Sequence, residues 1–214
     1  MTTVKHELQN IIQGNGGKGE ESLIQTISHH LRRSEESSAS AQEMEFSKEQ
    51  ETKNLTVFIE RNNLWYKGDI KEEDKIGEGA EQKVFYNPEK ETVIKLNDSI
   101  FFSSWKDYFD NLLLHNYFFP VSKYTLLGFY IINYTLYAVV EQAFIKATEH
   151  IDLENVKEFL KQNGFENTKN NDYYNKYLGI ILEDLHDENV ISSNETFLFI
   201  DTVFYLTSEF YNSP

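Results

Sequence analysis

Asp184-Leu185-His186-Asp187-Glu188-Asn189 sets a carboxylate and a side-chain amide five residues apart, in the form D-L-x-x-x-N. A carboxylate in such a loop accepts or orients the proton of an attacking hydroxyl, and an amide oxygen five residues on turns back toward a metal ion held by phosphates. A second metal ligand must reach the same point, and Asp201 is placed to do so. The turn-like stretch from Ser192 to Thr196 is flanked by Val190-Ile191 and by Phe197 to Ile200. With the turn centred near residue 195, Asn189 lies six before it and Asp201 six after it. A hairpin then predicts the two as neighbours at its open end, where an amide and a carboxylate suit one Mg²⁺.

The phosphate end of this chemistry is sought upstream. Ile76-Gly77-Glu78-Gly79-Ala80-Glu81-Gln82-Lys83-Val84 lies between two strand-like runs, and its two glycines let the backbone approach phosphates closely. Val93-Ile94-Lys95 follows, with Lys95 flanked by Ile94 and Leu96 on a predicted strand. A lysine among strand apolars is costly to bury without a partner. A nucleotide phosphate or a helix carboxylate supplies one; the plainer alternative is an edge-strand lysine that snorkels to water. A second glycine cluster, Gly14-Asn15-Gly16-Gly17-Lys18-Gly19, fails the phosphate-loop pattern, because Ile12 stands five before Gly17 and Gly19 follows Lys18. It reads as a flexible turn.

The elements that must position these groups follow from periodicity. Val4, Leu8, Ile11 and Ile12 have helical spacing up to the glycine cluster, and Leu23, Ile24, Ile27 and Leu31 form a second amphipathic stretch. Ser34 to Ser40 is polar and reads as linker. Leu55 to Leu64 predicts a short helix. Lys75-Ile76, Lys83 to Tyr86 and Thr92 to Leu96 predict strands, the last two joined by the turn Asn87-Pro88-Glu89-Lys90. Ser103 to Phe118 predicts a helix with Trp105, Tyr108, Phe109 and Leu112 on one face, ended by Pro120. Leu126 to Ile132 and Thr135 to Val140 form a hairpin around Asn133-Tyr134. Leu153 to Gln162 is an amphipathic helix stopped at Asn163-Gly164. Tyr177 to Leu182, Val190-Ile191 and Phe197 to Ile200 read as short strands. Strands, helix, hairpin, helix and short strands in that order indicate α+β, not a repeating βαβ array.

Composition narrows the partners. Twenty basic and 35 acidic residues give a net charge of −15, so the surface repels a phosphate backbone and general nucleic-acid binding is disfavoured. The same field opposes a nucleotide, which needs local help from a lysine, backbone N–H groups and a divalent cation. With no cysteine, disulfides and thiolate metal sites are excluded. No run of 18 apolar residues exists and the first residues lack a signal-peptide core, so the expectation is a cytoplasmic protein without membrane partners. The 16 Phe and 13 Tyr read as core packing, since basic residues are not interleaved with them. His115 and His150 are isolated and read as structural histidines; His186 reads as a group that orients Asp184.

From residue 76 to residue 201 the ordered set of glycine loop, strand lysine, helix, hairpin, D-L-x-x-x-N and Ile-Asp resembles the protein-kinase-like fold. Asp184-Leu185-His186 resembles the D-L-H form of small-molecule kinases such as aminoglycoside and choline kinases. Four phrases are more closely similar to the polyvalent protein kinase domains of bacterial phages and conjugative elements: residues 76–84, His115-Asn116-Tyr117-Phe118-Phe119-Pro120, Val140-Glu141-Gln142 and residues 184–190. The resemblance implies an α+β, protein-kinase-like, two-lobed fold with a truncated C-terminal lobe. Residues 1–52 would be a helical and linker appendage and 53–214 the kinase-like domain, with an N-lobe of about 65–141 and a minimal C-lobe of about 142–214.

Carried over by position, the resemblance implies ATP and Mg²⁺ as cofactors. Lys95 would bind the α/β-phosphates beside Gly77, Gly79 and Val84, and Glu141-Gln142-Ala143 would be the hinge beside the adenine. Asp184 would be the catalytic base, and Asn189 and Asp201 would hold Mg²⁺. Departures accompany it. Gln82 stands where the third loop glycine belongs, Leu182-Glu183 replaces His-Arg before the catalytic Asp, and Thr202-Val203 replaces Phe-Gly after the metal Asp. No glutamate lies between Lys95 and Glu141, so Asp110 is the best substitute partner for the lysine, with Asp107 second. The chain ends thirteen residues after Asp201, which predicts neither an activation segment nor a large helical C-lobe.

Two functional expectations result. One is a phosphotransferase moving the γ-phosphoryl of Mg-ATP to a hydroxyl acceptor, protein or small molecule. The other is a pseudokinase-like module of a mobile element that binds nucleotide or a partner without chemistry. Transfer of the nucleotidyl group is a third, weaker idea.

Overall fold

The computed structural model describes residues 3–14, 22–39, 47–80, 82–194 and 196–212. Helices α1 (Val4–Gln13), α2 (Leu23–Ala39) and α3 (Lys48–Arg61) precede strands β1 (Lys75–Glu78), β2 (Gln82–Asn87) and β3 (Thr92–Asn97). Helix α4 (Trp105–Phe118) leads to the hairpin β4 (Thr125–Ile132) and β5 (Thr135–Ala143), then to α5 (Leu153–Gln162). Six short strands follow, β6 (Glu166–Lys169), β7 (Asp172–Asn175), β8 (Ile180–Glu183), β9 (Val190–Ser193), β10 (Thr196–Phe199) and β11 (Val203–Leu206), before α6 (Ser208–Tyr211). The chain is α+β, as its element order indicates.

Local chemistry accounts for most boundaries. Thr3 caps α1 through its hydroxyl, and Gly14 closes it in the left-handed conformation at φ 77°. Residues 15–21, the rest of the glycine cluster, lie outside the described residues. Asn133 and Tyr134 both have positive φ in the tight turn between β4 and β5, the backbone that matches the twist of paired strands. Three boundaries differ from the periodicity reading. Helix α2 continues through the polar serine run to Ala39. Helix α3 begins at Lys48, where Ser47 Oγ accepts from the Gln50 amide; the S-x-x-Q spacing was a readable start signal. Strand β8 starts only at Ile180, because Gly179 turns the chain at φ 70°.

The described residues divide into two compact units. One, the sheet unit, draws on Glu20–Phe109 and Tyr124–Phe144. Its antiparallel sheet has the order β1-β2-β3-β5-β4. The edge of β4 is covered by residues 64–66: Tyr66 N donates to Phe129 O (2.8 Å) and Phe129 N to Leu64 O (3.0 Å). Gly128 permits this approach, for a Cβ there would lie 2.5 Å from Leu64 O at a φ of +143°. Phe85, Ile94, Leu96 and Val139 form the core on one face of the sheet. In the same unit Leu55 and Ile59 of α3 are fully buried, and His30 of α2 stacks on Phe58 of α3 at 4.0 Å.

The N-terminus of α4 is built by α3. The Glu51 carboxylate, 4% exposed, accepts from the backbone N–H groups of Trp105 (2.6 Å) and Lys106 (3.0 Å). Trp105 Nε1 donates to Thr52 Oγ1 at 3.0 Å. Lys48 donates to the carbonyls of Ser99 and Phe102 in the loop just before the helix. A helix start leaves its first N–H groups unpaired, and here a carboxylate 54 residues away in the chain satisfies two of them.

The other unit, the hairpin unit, draws on Met1–Gly19, Asp110–Lys123 and Ile145–Pro214. It holds a four-stranded sheet ordered β11-β8-β7-β6 and the two-stranded β9–β10 hairpin. Helix α1 docks on α6: Leu8, Ile12 and Phe210 are fully buried, Lys5 Nζ donates to Glu209 O (2.7 Å) and Gln9 Nε2 to Phe210 O (2.6 Å). Phe119 stacks on Phe199 at 4.2 Å and Phe118 on Phe204 at 5.5 Å. Phe199 and Phe204 are buried, and a large ring buried in this way contributes on the order of 2 kcal/mol. Among the described residues no helix is long and apolar enough to cross a membrane.

Candidate functional site

In the sheet unit, register places three of the expected nucleotide residues in one lateral row. Gly77 is opposite Val84, Val84 opposite Lys95, and Lys95 opposite Val140. Directly paired residues of antiparallel strands share a face, so Gly77, Val84 and Lys95 line the same side of the sheet. Lys95 is 3% exposed, with its ammonium 5.3 Å from the centre of the Tyr124 ring, inside cation–π range. Glu141 pairs with Ile94 and so belongs to the opposite face. Its carboxylate accepts from Lys90 (3.2 Å) and Thr92 (3.1 Å). A ligand on the lysine face therefore meets the segment from Glu141 to Ala143 through backbone groups and Gln142, not through the Glu141 carboxylate.

The glycines have no steric duty in the fold. A Cβ at Gly77 would rest at 3.8 Å from Val84 Cβ, and one at Gly79 at 4.0 Å from Gln82 O. Neither residue has the positive φ that favours glycine. Glu78 between them is held by Lys75 (2.9 Å) and Lys83 (3.2 Å), and hydrogen bonds from those two cations lower its carboxyl below the usual range. Glu81, also in this loop, lies outside the described residues.

In the hairpin unit, the structure brings Asp184 and Asn189 together. Asn189 Nδ2 donates to the backbone O of Asp184 (2.9 Å) and to its Oδ2 (3.0 Å). Both amide hydrogens are committed to Asp184, so the carbonyl Oδ1 is the end of Asn189 that remains to accept or ligate. Asp184 sits at φ 64°, a conformation aspartate tolerates better than most residues, and its side chain is 56% exposed. His186 Nδ1 accepts from Glu188 N at 3.2 Å. In the neutral ring the proton is then on Nε2, which faces Asp184 Oδ1 at 3.4 Å. The Asn189 amide 3.1 Å from Nε2 is accordingly a donor-to-donor contact and not a hydrogen bond.

Asp201 lies one step further along the hairpin than symmetry about residue 195 predicts. The register pairs Val190 with Phe199 and Ser193 with Thr196, which centres the turn half a residue earlier. Asn189 thus opposes Ile200, whose N–H donates to Asn189 O at 3.0 Å, and Asp201 follows directly. The flanks of Asp201 are fixed by buried side chains. Ser122 Oγ donates to Phe199 O. His115, fully buried, bonds Thr202 Oγ1 through Nδ1 (2.7 Å) and Ser122 O through Nε2 (2.9 Å). Asn111 Oδ1 accepts from Phe204 N at 2.8 Å. His115 is the structural histidine that its isolation suggested. Its partners were not legible, though its spacing of four from Asn111 marks a shared helix face. Asp110, the expected lysine partner, is 4% exposed on α4.

A family model of the serine/threonine/tyrosine kinase found in polyvalent proteins matches residues 48–208. The chain belongs to this family. The match begins at the first residue of α3 and ends at the first of α6. This polyvalent-protein kinase domain has no match among the curated proteins and none among solved structures. Membership supports a kinase-like phosphotransferase in general terms.

The donor set of this kinase domain fits a hard cation that shares its ligands with phosphate. An amide oxygen and a carboxylate, from Asn189 and Asp201, are oxygen donors of the kind Mg²⁺ takes, and Mg²⁺ is commonly held by one or two carboxylates plus phosphate oxygens. Among the described residues no three His, Cys, Asp or Glu side chains form a group able to hold a metal ion.

Glu183, just before Asp184, carries a carboxyl pushed above the usual range. Burial is the main cause, followed by the negative charges of Asp172 and Asp184. A folded-state value raised above the unfolded one makes ionisation costlier in the folded protein. Stability is then full below the ordinary value of 4.5 and falls as pH rises through the folded value. Glu183→Gln is expected to raise the melting temperature at neutral pH, with the gain shrinking as pH falls toward 4.5. A gain that is constant across the pH series, or absent at neutral pH, would contradict the assignment.

Proposed function

We propose that this kinase domain transfers the γ-phosphoryl of Mg-ATP to a hydroxyl acceptor, a protein or a small molecule. The observation that carries the reading is the Asn189 amide bonded twice to Asp184. It holds the Asp184 carboxylate in place and turns the Asn189 oxygen outward from the pair. Asp184 orients the acceptor hydroxyl and takes its proton, while His186 steadies the carboxylate. Asn189 Oδ1 and Asp201 hold the cation, and Lys95 with the Gly77–Gly79 backbone holds the phosphates. The Mg²⁺ ion, when bound, neutralises charge on the transferring group. Positioning and electrostatics supply most of the rate in such reactions. The glycines support this reading, since a fold that does not need them leaves close phosphate approach as their use. A kinase-like two-lobed arrangement with a reduced C-terminal lobe, Asp110 as partner of Lys95, and a cytoplasmic setting belong to the same proposal.

A second reading, nucleotide or partner binding without transfer, is favoured by the absence of any glutamate between Lys95 and Glu141. Thermal denaturation with and without Mg-ATP, followed by a radiolabelled phosphate-transfer assay, separates the two. The first reading expects a melting-temperature rise that requires both Mg²⁺ and ATP, and label on the protein or an added acceptor. A stabilised but inert protein selects the second reading. No stabilisation by Mg-ATP overturns both as nucleotide-binding proposals.

A further inference from the structure

The consecutive aromatics Tyr117, Phe118 and Phe119, at and just past the end of α4, have no part in the chemistry proposed above, yet all three line a cavity of about 320 Å³ inside the hairpin unit. We propose that this cavity is a binding site for an uncharged aromatic small molecule of two fused rings. The proposal does not depend on the phosphotransfer reading.

Size and wall chemistry define the guest. Leu160, Phe165, Leu178, Leu182 and Phe204 also line the cavity, each at most 5% exposed. Phe118 stacks on Phe204 at 5.5 Å and meets Phe165 edge-on at 5.8 Å, the two geometries in which aromatic rings pair. An apolar cavity of about 150 Å³ takes benzene, so one of about 320 Å³ suits two fused rings. None of the lining residues is charged, although the chain carries a net −15. An ionic guest would lose its hydration there without gaining a counter-charge. The Tyr117 hydroxyl is engaged with Glu7 Oε2 at 3.1 Å, and Asn163 Nδ2 with Phe159 O at 2.8 Å. Asn163 Oδ1 can therefore accept one N–H or O–H from the guest, and mostly apolar walls with few polar groups are the usual make-up of a small-molecule site. A more open depression of about 470 Å³ adjoins the cavity, shares Val4, Asn163 and Leu178 with it, and carries Glu166 and Lys176. One acid and one base give that approach no net charge, which again favours a neutral guest. Helix α1 supplies the lip: Val4 lines both hollows and is 48% exposed. The Glu7–Tyr117 bond and the buried Leu8 and Ile12 hold α1 there. A guest against Val4 adds contacts to α1, so its binding stabilises the docked helix.

Methyl NMR of the full chain titrated with 2-naphthol, a neutral two-ring probe with one hydroxyl, tests the site. Saturable shifts are expected for the Val4, Leu160, Leu178 and Leu182 methyl groups and none for Leu96 and Val139 of the sheet core. The anion 2-naphthoate, with the same rings, should bind at least about tenfold more weakly. Leu178→Phe fills the cavity and should weaken 2-naphthol at least about tenfold, with the melting temperature at or above wild type. Val4→Asp is the second variant. It suits the first turn of a helix at a half-exposed position, so the fold survives, but it sets a charge on the wall and should weaken 2-naphthol at least about fivefold. Saturating 2-naphthol should slow amide exchange in α1 at least about threefold. No saturable shift up to the solubility limit of 2-naphthol, or shifts confined to methyl groups outside the cavity, overturns the site. Unchanged affinity in the variants places the probe elsewhere and overturns it too. Equal affinity for 2-naphthoate overturns the uncharged class, and binding that leaves α1 exchange unchanged overturns α1 as a wall.

Discussion

Asp201→Ala is expected to lower Mg²⁺-dependent phosphate transfer by about three orders of magnitude, the scale on which a preorganised charge contact contributes to a transition state. The fold should survive. Asp201 is only partly buried, and its neighbours Ile200, Thr202 and Phe204 tie the segment down through hydrogen bonds of their own. Circular dichroism and melting temperature should accordingly stay near wild type. The loss should be steepest at low Mg²⁺ and should be partly restored at high Mg²⁺ or by Asp201→Asn, which keeps one oxygen donor. Asp184→Asn is the complementary control. It removes the proton acceptor but retains the pairing with Asn189, so it should lower turnover without raising the Mg²⁺ requirement. Turnover that survives Asp201→Ala at wild-type Mg²⁺ dependence would remove Asp201 from the metal site.

The second large effect is on stability. Glu51→Ala should destabilise the protein by about 2–4 kcal/mol, because it leaves two N–H groups of the α4 N-terminus without their acceptor in a buried setting. Each such orphan costs about 1–3 kcal/mol. The carboxylate itself is strained by its surroundings: burial raises its pKa, while the Trp105 and Lys106 N–H groups pull it back down. Glu51→Gln keeps one carbonyl oxygen for one of the two donors and should lose roughly half as much. Urea denaturation of the three proteins gives the comparison. Equal midpoints for Glu51→Ala and wild type would show that α4 does not depend on this cap. The Lys106–Glu35 ion pair at 2.7 Å lies on the same helix start but is partly exposed. Its loss should cost less, at most about 1 kcal/mol.

Local features of the site were readable because they depend on residues close in the chain. Asp184 and Asn189 meet through a loop of five residues, and the D-L-x-x-x-N spacing alone carries that pairing. The β4–β5 hairpin follows from two apolar runs around Asn133-Tyr134, and Lys95 on β3 from its apolar neighbours. The β9–β10 hairpin was legible in outline, but its register was not. A turn centred half a residue away shifts which residue opposes Asn189, and composition does not resolve such a shift. The β6–β7 pair escaped because β6 is exposed along its whole length and has no apolar alternation to reveal it. β11 escaped because four residues after Asp201 give too short a period to count.

What the residue order determined, then, is the inventory of reactive groups and the strands, turns and helices that carry them, since each rests on spacings of a few residues. Tertiary structure alone decided which of those groups are held still. Glu51 caps a helix 54 positions later, His115 grips a hydroxyl 87 positions away, and Lys5 ties α1 to a carbonyl 204 positions on. Such partners are chosen by which buried polar groups would otherwise be left without a hydrogen bond, and that choice exists only once the chain has packed.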